Sequence, residues 1–350
     1  MRKKIPLNDL ARIHSPIRAE LDRAVARVLD SGWFLRGREV TAFEDEWADY
    51  CGQKYCVACN SGTDALTIAA LALRMSEANV QANTLSLTAT GLYRAGVQIN
   101  VVDIEPDGRI NRDTENAVPV LLFGRYPTQS ETRHTLFDAA HSHGWTPPSH
   151  ATACWSFYPS KTLGALGDAG AVTSNDFDVA EMMRDLTGRD DQLRDGRQIT
   201  SRMDEMQAAV LRVKLKHLPS WIEARRQIGA WYIENLPPNV QMVATAKADL
   251  HHLAVVRVDK RDELKAYLQS QGVETKIHFQ NPLHRQQAPW GNKSARLPLA
   301  EQWCDSVLTL PCFPDMTTTE LTRVKNLIEG FFEKSHPRSN LKTPANLTLP

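Results

Sequence analysis

Apolar positions recur at helical spacing early in the chain and then give way to short apolar runs. Ile17, Leu21, Val25, Val28 and Leu29 share one helical face behind Ser15-Pro16, a cap followed by proline at the first helical position. Gly32 ends that pattern. Val40, Phe43, Trp47 and Tyr50 mark a second amphipathic helix that closes near Gly52. A strand at about Tyr55–Ala58 runs into Asn60-Ser61-Gly62-Thr63-Asp64, and an apolar helix follows from Ala65 to Leu73. Further strands are expected at Val97–Asp103, Val118–Leu122, Thr135–Asp138, Cys154–Tyr158 and Gly170–Ser174. Short apolar strands separated by helices and glycine-bearing turns argue for a wound α/β sheet.

Met203, Met206, Val210 and Val213 lie on one face of a long helix running towards Pro219, and amphipathic sequence continues to about Leu236. Pro237-Pro238 then breaks the chain. Beyond it come a strand (His252–Val258), a helix capped by Asp259 and closed by Gly272, and a strand Val273–Phe279. The last helix opens with the capping box Thr317-x-x-Glu320 and carries Leu321, Val324, Ile328 and Phe331. The pattern divides the chain into a large domain over 1–236, a smaller α+β domain over 237–335, and a tail at 336–350 expected to be disordered.

Composition narrows the function classes. The 350 residues contain 41 basic and 41 acidic side chains, and such a balance suits neither a general nucleic-acid binder nor an anionic-membrane binder. No apolar run approaches the roughly 18 residues of a membrane span. The basic start Met1–Pro6 has no apolar stretch behind it, so the expected location is the cytoplasm, with the six cysteines reduced. Cys51, Cys56 and Cys59 form C-x4-C-x2-C, the first part of an iron–sulfur loop pattern. Cys56 and Cys59 sit on the Tyr55 strand, however, where residues three apart face opposite sides. Buried core cysteines are the better reading, and no metal is expected.

Three segments carry candidate chemistry. At Asn60-Ser61-Gly62-Thr63-Asp64-Ala65-Leu66 a strand ends and a helix begins, which makes an anion site from exposed N–H groups and the helix dipole. It lacks the lysine and spacing of a Walker loop and the spacing of a dinucleotide fingerprint, and glycine turns before helices are common. In Leu136-Phe137-Asp138-Ala139-Ala140-His141, Asp138 stands at the C-terminal end of a buried strand, the edge where open α/β sheets place ligands. A helix N-cap is the bland alternative for that aspartate. In Ser156-Phe157-Tyr158-Pro159-Ser160-Lys161-Thr162-Leu163-Gly164, Lys161 follows a core strand among small and apolar residues. A partly desolvated amine has a lowered pKa and forms Schiff bases, whereas a loop-tip lysine does neither.

Together the three suggest one cofactor, pyridoxal 5′-phosphate. The helix end would hold the phosphate, Asp138 would keep the pyridine nitrogen protonated, and Lys161 would hold the aldehyde as an imine.

The sequence also resembles the DegT/DnrJ/EryC1/StrS family of nucleotide-sugar aminotransferases over about residues 5 to 335. The resemblance rests on Phe34-Leu35-Arg36-Gly37-Arg38-Glu39-Val40 with Phe43-Glu44, Ser61–Leu66, Asp138–His141 and Ser156–Gly164. It continues through Ser201-Arg202-Met203-Asp204-Glu205-Met206-Gln207-Ala208-Ala209 and through Ile277-His278-Phe279 leading to Pro282-Leu283-His284. It implies a fold-type I homodimer, with a mostly parallel wound sheet in the large domain and active sites at the subunit interface. Lys161 would be the Schiff-base lysine and Asp138 the partner of the pyridine nitrogen. His141, where the family more often has Gln, would contact the cofactor's phenolic oxygen. The Gly62 and Thr63 amides, with the Ser156 hydroxyl, would bind the phosphate, and His278 and His284 would stand on the substrate side.

Two departures stand out. Thr200 occupies the position where the family usually has an Asn that reaches the phosphate of the partner subunit's cofactor. The stretch Leu85-Ser86-Leu87-Thr88-Ala89-Thr90 puts leucine where the family stacks an aromatic ring on the cofactor. That exchange loses about 0.5–1.5 kcal/mol of ring-specific contact. The segments around Gly91–Gly96 and Arg109–Thr135 are also shorter than usual in the family.

The resulting expectation is transfer of an amino group from glutamate to a nucleotide-linked keto-sugar in amino-sugar or lipopolysaccharide biosynthesis. Ser201–Leu218 and Leu283–Gln286 look most like the branch that aminates C3 of a dTDP-linked 3-keto-6-deoxyhexose, with UDP-linked substrates and C4 amination left open. Family members with histidine at the lysine position are dehydratases, and Lys161 argues against that branch. A cofactor-binding protein without turnover, in a regulatory or scaffolding role, is the alternative suggested by the leucines and the shortened segments. A dehydrogenase would need a Gly-x-Gly-x-x-Gly turn after an early strand, and there is none.

Overall fold

The computed structural model describes residues 4–188 and 197–335; the expected disordered tail lies outside the described residues. The elements run α1 (Leu10–His14), α2 (Arg18–Ser31), α3 (Arg38–Cys51), β1 (Tyr55–Cys59), α4 (Gly62–Ala72), β2 (Glu77–Gln81), α5 (Ser86–Arg94) and β3 (Gln98–Val102). They continue with β4 (Leu136–Asp138), β5 (Thr152–Ser156), β6 (Gly170–Ser174), α6 (Phe177–Leu186), α7 (Glu205–Leu215) and α8 (Leu218–Asn235). The last part holds β7 (Val240–Met242), β8 (Ala254–Val258), α9 (Arg261–Ser270), α10 (Pro298–Ser306), β9 (Val307–Leu310) and α11 (Thr318–Ser335).

The main sheet has the order β1-β6-β5-β4, and the parallel pair β2-β3 continues it. The join is a pair of parallel bridges, Val120 to Asp138 and Asn79 to Ala117. β4 and β5 run parallel, whereas β6 runs antiparallel to both β1 and β5. The sheet is therefore mixed, with β6 as its reversed member. One apolar cluster beside the sheet centres on Phe43, Trp47, Trp155 and Phe157; another gathers Ile68, Ala69, Val80 and Val172 around α4. α4 is buried nearly all round, which is why its sequence shows little amphipathic pattern.

A second, antiparallel sheet β7-β8-β9 packs with α8, α9 and α11 around Tyr232, Val256, Leu308 and Val324. Ile5 is buried in this same cluster and bridges Val273, so the first residues of the chain pack against its last third. The Thr317 and Glu320 capping box forms as expected, each side chain bonding the other's backbone amide.

Several expected elements differ. Helix begins before Ser15, at α1, where Asp9 accepts from the Arg12 amide; Ser15-Pro16 instead forms a 3-10 turn into α2, because Pro16 has no N–H for the ladder. Val118–Leu122 is not a strand but makes single bridges and ends in a tight turn at Leu122–Gly124. Val273–Phe279 likewise makes only the bridges Ile5–Val273 and Lys276–Thr309, since its neighbours are a chain end and a short edge. Lys260, not Asp259, is the cap residue of α9, and its φ of 55° marks a left-handed entry. The sequence pattern missed β2, α5, α6, β7, α10 and β9, all of ten residues or fewer.

Candidate active site

The site lies where β1, β4 and β5 end. β5 finishes at Ser156, and the chain then folds back on itself: the Phe157 amide donates to Ala169 O and the Ala165 amide to Phe157 O at 2.7 Å. Lys161 sits at the bend, its amide bonded to Tyr158 O at 2.8 Å, with its side chain partly buried. The bend is held from outside. Leu163 N–H donates to His143 Nδ1 at 3.1 Å, Lys214 Nζ donates to Gly164 O, and Thr162 Oγ1 lies 3.1 Å from His252 Nδ1. Burial lowers the Lys161 pKa to about 8, against a smaller upward pull from Asp138.

Asp138 ends β4 and is buried. Thr88 Oγ1 donates to its Oδ2 at 2.7 Å and the Ala140 amide to its Oδ1 at 3.1 Å. Burial raises its pKa, while those two bonds and Lys161 pull it down. The N-cap-like bond to Ala140 exists, but no helix follows it. The carboxylate is thus oriented by a helix from elsewhere in the chain, α5, which the sequence did not reveal.

The anion turn is built without room for side chains. Ser61 caps α4 by accepting from the Asp64 amide at 3.1 Å. That leaves the Gly62 and Thr63 amides in the first turn, where a helix offers them no carbonyl partner. A Cβ on Gly62 would lie 2.6 Å from the Ser156 Cβ, so glycine there lets the helix end press directly on the end of β5. A Cβ on Gly170 would lie 2.3 Å from the Ser61 carbonyl carbon. Asp64 points away, accepting from Ser201 Oγ at 2.7 Å.

His141 accepts the Phe123 amide on Nδ1 at 3.2 Å. Burial and Lys161 push its pKa well down, so it is neutral and its Nε2 carries the proton. His278 has its Nδ1 2.7 Å from Thr309 Oγ1, and burial with Lys276 and Lys161 lowers its pKa to about 3. Lys161 is the common neighbour: its charge acts on Asp138, His141, His143, His252 and His278.

Two expected residues stand apart. His284 is buried away from this group, with its Nε2 2.9 Å from Glu301 Oε1, where Arg285 also donates at 2.6 Å. Thr200 is exposed beside Ser201 and has no bond to the cluster within the chain. Leu85 and Leu87 are 41% and 50% exposed and flank the start of α5, the helix that supplies Thr88. Sequence reasoning did not single out Thr88, His143, Lys214 or His252. The signal for His143 was present in its spacing, two residues after His141.

A lysine with a lowered pKa, a buried carboxylate at a strand end and a helix N-terminal turn closed by glycine together fit pyridoxal 5′-phosphate. They define the protein as a pyridoxal-phosphate-dependent aminotransferase of fold-type I. The chain belongs to the DegT/DnrJ/EryC1/StrS aminotransferase family, whose model matches residues 16–118 and 130–329. It is 34% identical to the dTDP-3-amino-3,4,6-trideoxy-alpha-D-glucose transaminase of Streptomyces venezuelae, over 95% of this chain and 97% of that protein. It is also 34% identical to the dTDP-3-amino-3,6-dideoxy-alpha-D-galactopyranose transaminase of Aneurinibacillus thermoaerophilus, over 93% of this chain and 99% of that one. The crystal structure of S. venezuelae DesV with a ketimine intermediate superposes with a TM-score of 0.87 at 32% identity, covering 94% of this chain and 99% of that chain. Among the described residues no helix is long and apolar enough to cross a membrane.

Proposed function

We propose that this aminotransferase moves an amino group from glutamate to a nucleotide-linked keto-sugar, with C3 of a dTDP-linked 3-keto-6-deoxyhexose as the favoured acceptor. The names of the two transaminase relatives support the sugar class. The observation that carries the chemistry is Lys161, partly buried beside Asp138 and half neutral near pH 8.

Pyridoxal phosphate, when bound, supplies an aldehyde for amine capture and a ring that withdraws electrons from the donor's α-carbon. The chain's residues do the rest. Gly62 and Thr63 amides, the Ser156 hydroxyl and the α4 dipole would hold the phosphate. Asp138, oriented by Thr88 and Ala140, would keep a proton on the ring nitrogen. The His141 Nε2–H would be the donor to the ring oxygen. Lys161 Nζ would hold the aldehyde and would serve as base and then acid for the proton on the donor's α-carbon. His278 stands on the substrate side. Water is kept from this chemistry by the buried floor of Phe157, Leu163 and Ala165.

A second copy of the chain completes the site in this reading. The exposed Trp33 (63%), Phe34 (48%), Leu35 (45%) and Leu166 (49%) offer an apolar surface to it, and Thr200 would reach the partner's phosphate site. The six cysteines are buried and unpaired, which suits a cytoplasmic enzyme.

The test is a visible absorption spectrum with added pyridoxal phosphate, before and after glutamate. A band from lysine-linked cofactor that bleaches with glutamate is expected. A band indifferent to glutamate points to a cofactor-binding protein without turnover, the reading that the leucines at 85 and 87 favour. No band refutes the enzyme.

A further inference from the structure

His252 belongs to the segment that enters the small sheet, two residues before β8, yet its side chain reaches the lysine bend. It is buried, and its backbone carbonyl accepts from Arg225 Nη1 at 3.1 Å, a guanidinium that also binds Cys312 O at 2.7 Å. Its Nδ1 lies 3.1 Å from the hydroxyl of Thr162, the residue next to Lys161. Its ring centroid lies 4.7 Å from that of His141, tilted by 44°. One side chain therefore touches both the lysine bend and the histidine on the ring side of the site. Burial, His141 and Lys161 keep it neutral, so it adds no charge beside the lysine.

We propose that His252 is a positioning residue for Lys161. It pins the bend through the Thr162 hydroxyl and braces His141 by ring packing, so it sets the separation between the amine and the ring-side donor. Loss of the hydrogen bond frees the bend to sample geometries in which Nζ is misplaced, and a small misplacement is enough to slow capture of an aldehyde. The proposal rests on the cofactor reading of the site.

The test uses the full chain stripped of cofactor, with the rate of pyridoxal phosphate capture followed by stopped-flow absorbance. His252→Phe keeps the packing and removes the bond to Thr162. His252→Asn places a polar atom about where Nδ1 lies. Thr162→Val removes the other partner. His252→Phe and Thr162→Val are each expected to slow capture about fivefold to tenfold. His252→Asn should recover most of the rate. The double variant His252→Phe/Thr162→Val should be no slower than either single variant, because both remove the same bond. The pKa of Lys161, read from pH-dependent reductive methylation of its peptide in the same proteins, should stay near its value in the unsubstituted chain for His252→Phe. Unchanged capture in both Thr162→Val and His252→Phe overturns the proposal. So does a double variant whose losses simply multiply. If His252→Phe does not fold, Thr162→Val alone carries the same expectation. If the unsubstituted chain captures no cofactor, the reading of the site fails instead.

Discussion

Replacing the central lysine by methionine should make the cofactor-free protein more stable, and the gain should vanish at high pH. Lys161 has its pKa lowered from 10.5 to about 8, net of the attraction from Asp138. At about 1.36 kcal/mol per unit, holding the charged amine in its partly buried place costs roughly 3 kcal/mol, or about 2 once its partial solvent contact is allowed for. Below the folded pKa both folded and unfolded chains carry the proton, so the folded state bears the whole cost. Between about 8 and 10.5 the folded protein is neutral first, the unfolded chain binds more protons, and stability rises with pH. Above that window both states are neutral and the cost is gone. Lys161→Met keeps most of the aliphatic stem and never carries the charge. Urea unfolding of the two cofactor-free proteins at about pH 7 should show the variant ahead by roughly 2–3 kcal/mol, and at about pH 10 nearly level. A variant that is less stable at neutral pH, or a gain that does not shrink with pH, would refute the placement of Lys161 in a desolvating site. Cofactor must be absent from both proteins, since it binds the folded state and would mask the term.

Two further outcomes follow from the geometry. Gly62→Ala puts a methyl 2.6 Å from the Ser156 Cβ, so the helix end must withdraw from β5; pyridoxal phosphate affinity by absorbance titration should fall at least about tenfold, with about 1–3 kcal/mol lost in urea unfolding. Glu205 holds the Gly37, Glu39 and Val40 amides at the start of α3 while buried in α7, and Glu205→Ala should cost about 2–4 kcal/mol by the same assay, with the α3 start losing hydrogen-exchange protection first.

Much of the site was legible because its local chemistry is written in contiguous residues. Ser61–Asp64, Asp138–His141 and Ser156–Gly164 each carry their own signal, and the fold brings the three together. What was not legible is contributed at a distance. Thr88 reaches Asp138 across 50 positions and His252 reaches Thr162 across 90, separations at which local pattern says nothing of the partner. His284 differs from the three segments. A histidine in a motif-like stretch proved to be a buried partner of Glu301. Among the elements, periodicity found the long amphipathic helices α2, α3 and α11. It failed at β2, α5 and the 118–122 segment, where short length leaves too few residues for a period to show.

The reversed strand β6 has a further meaning. Its Gly170 is level with Cys59 on one side and with Ser156 on the other. The turn after β1 and the end of β5, nearly a hundred residues apart along the chain, are thus aligned by one residue that arrives after both. Their alignment depends on pairing register and not on the length of the chain between them. Loops in that stretch can change length without moving either one. The cost falls on assembly instead. A nascent chain that has made both segments still lacks their alignment until β6 slots between its neighbours, one of the long-range steps of folding.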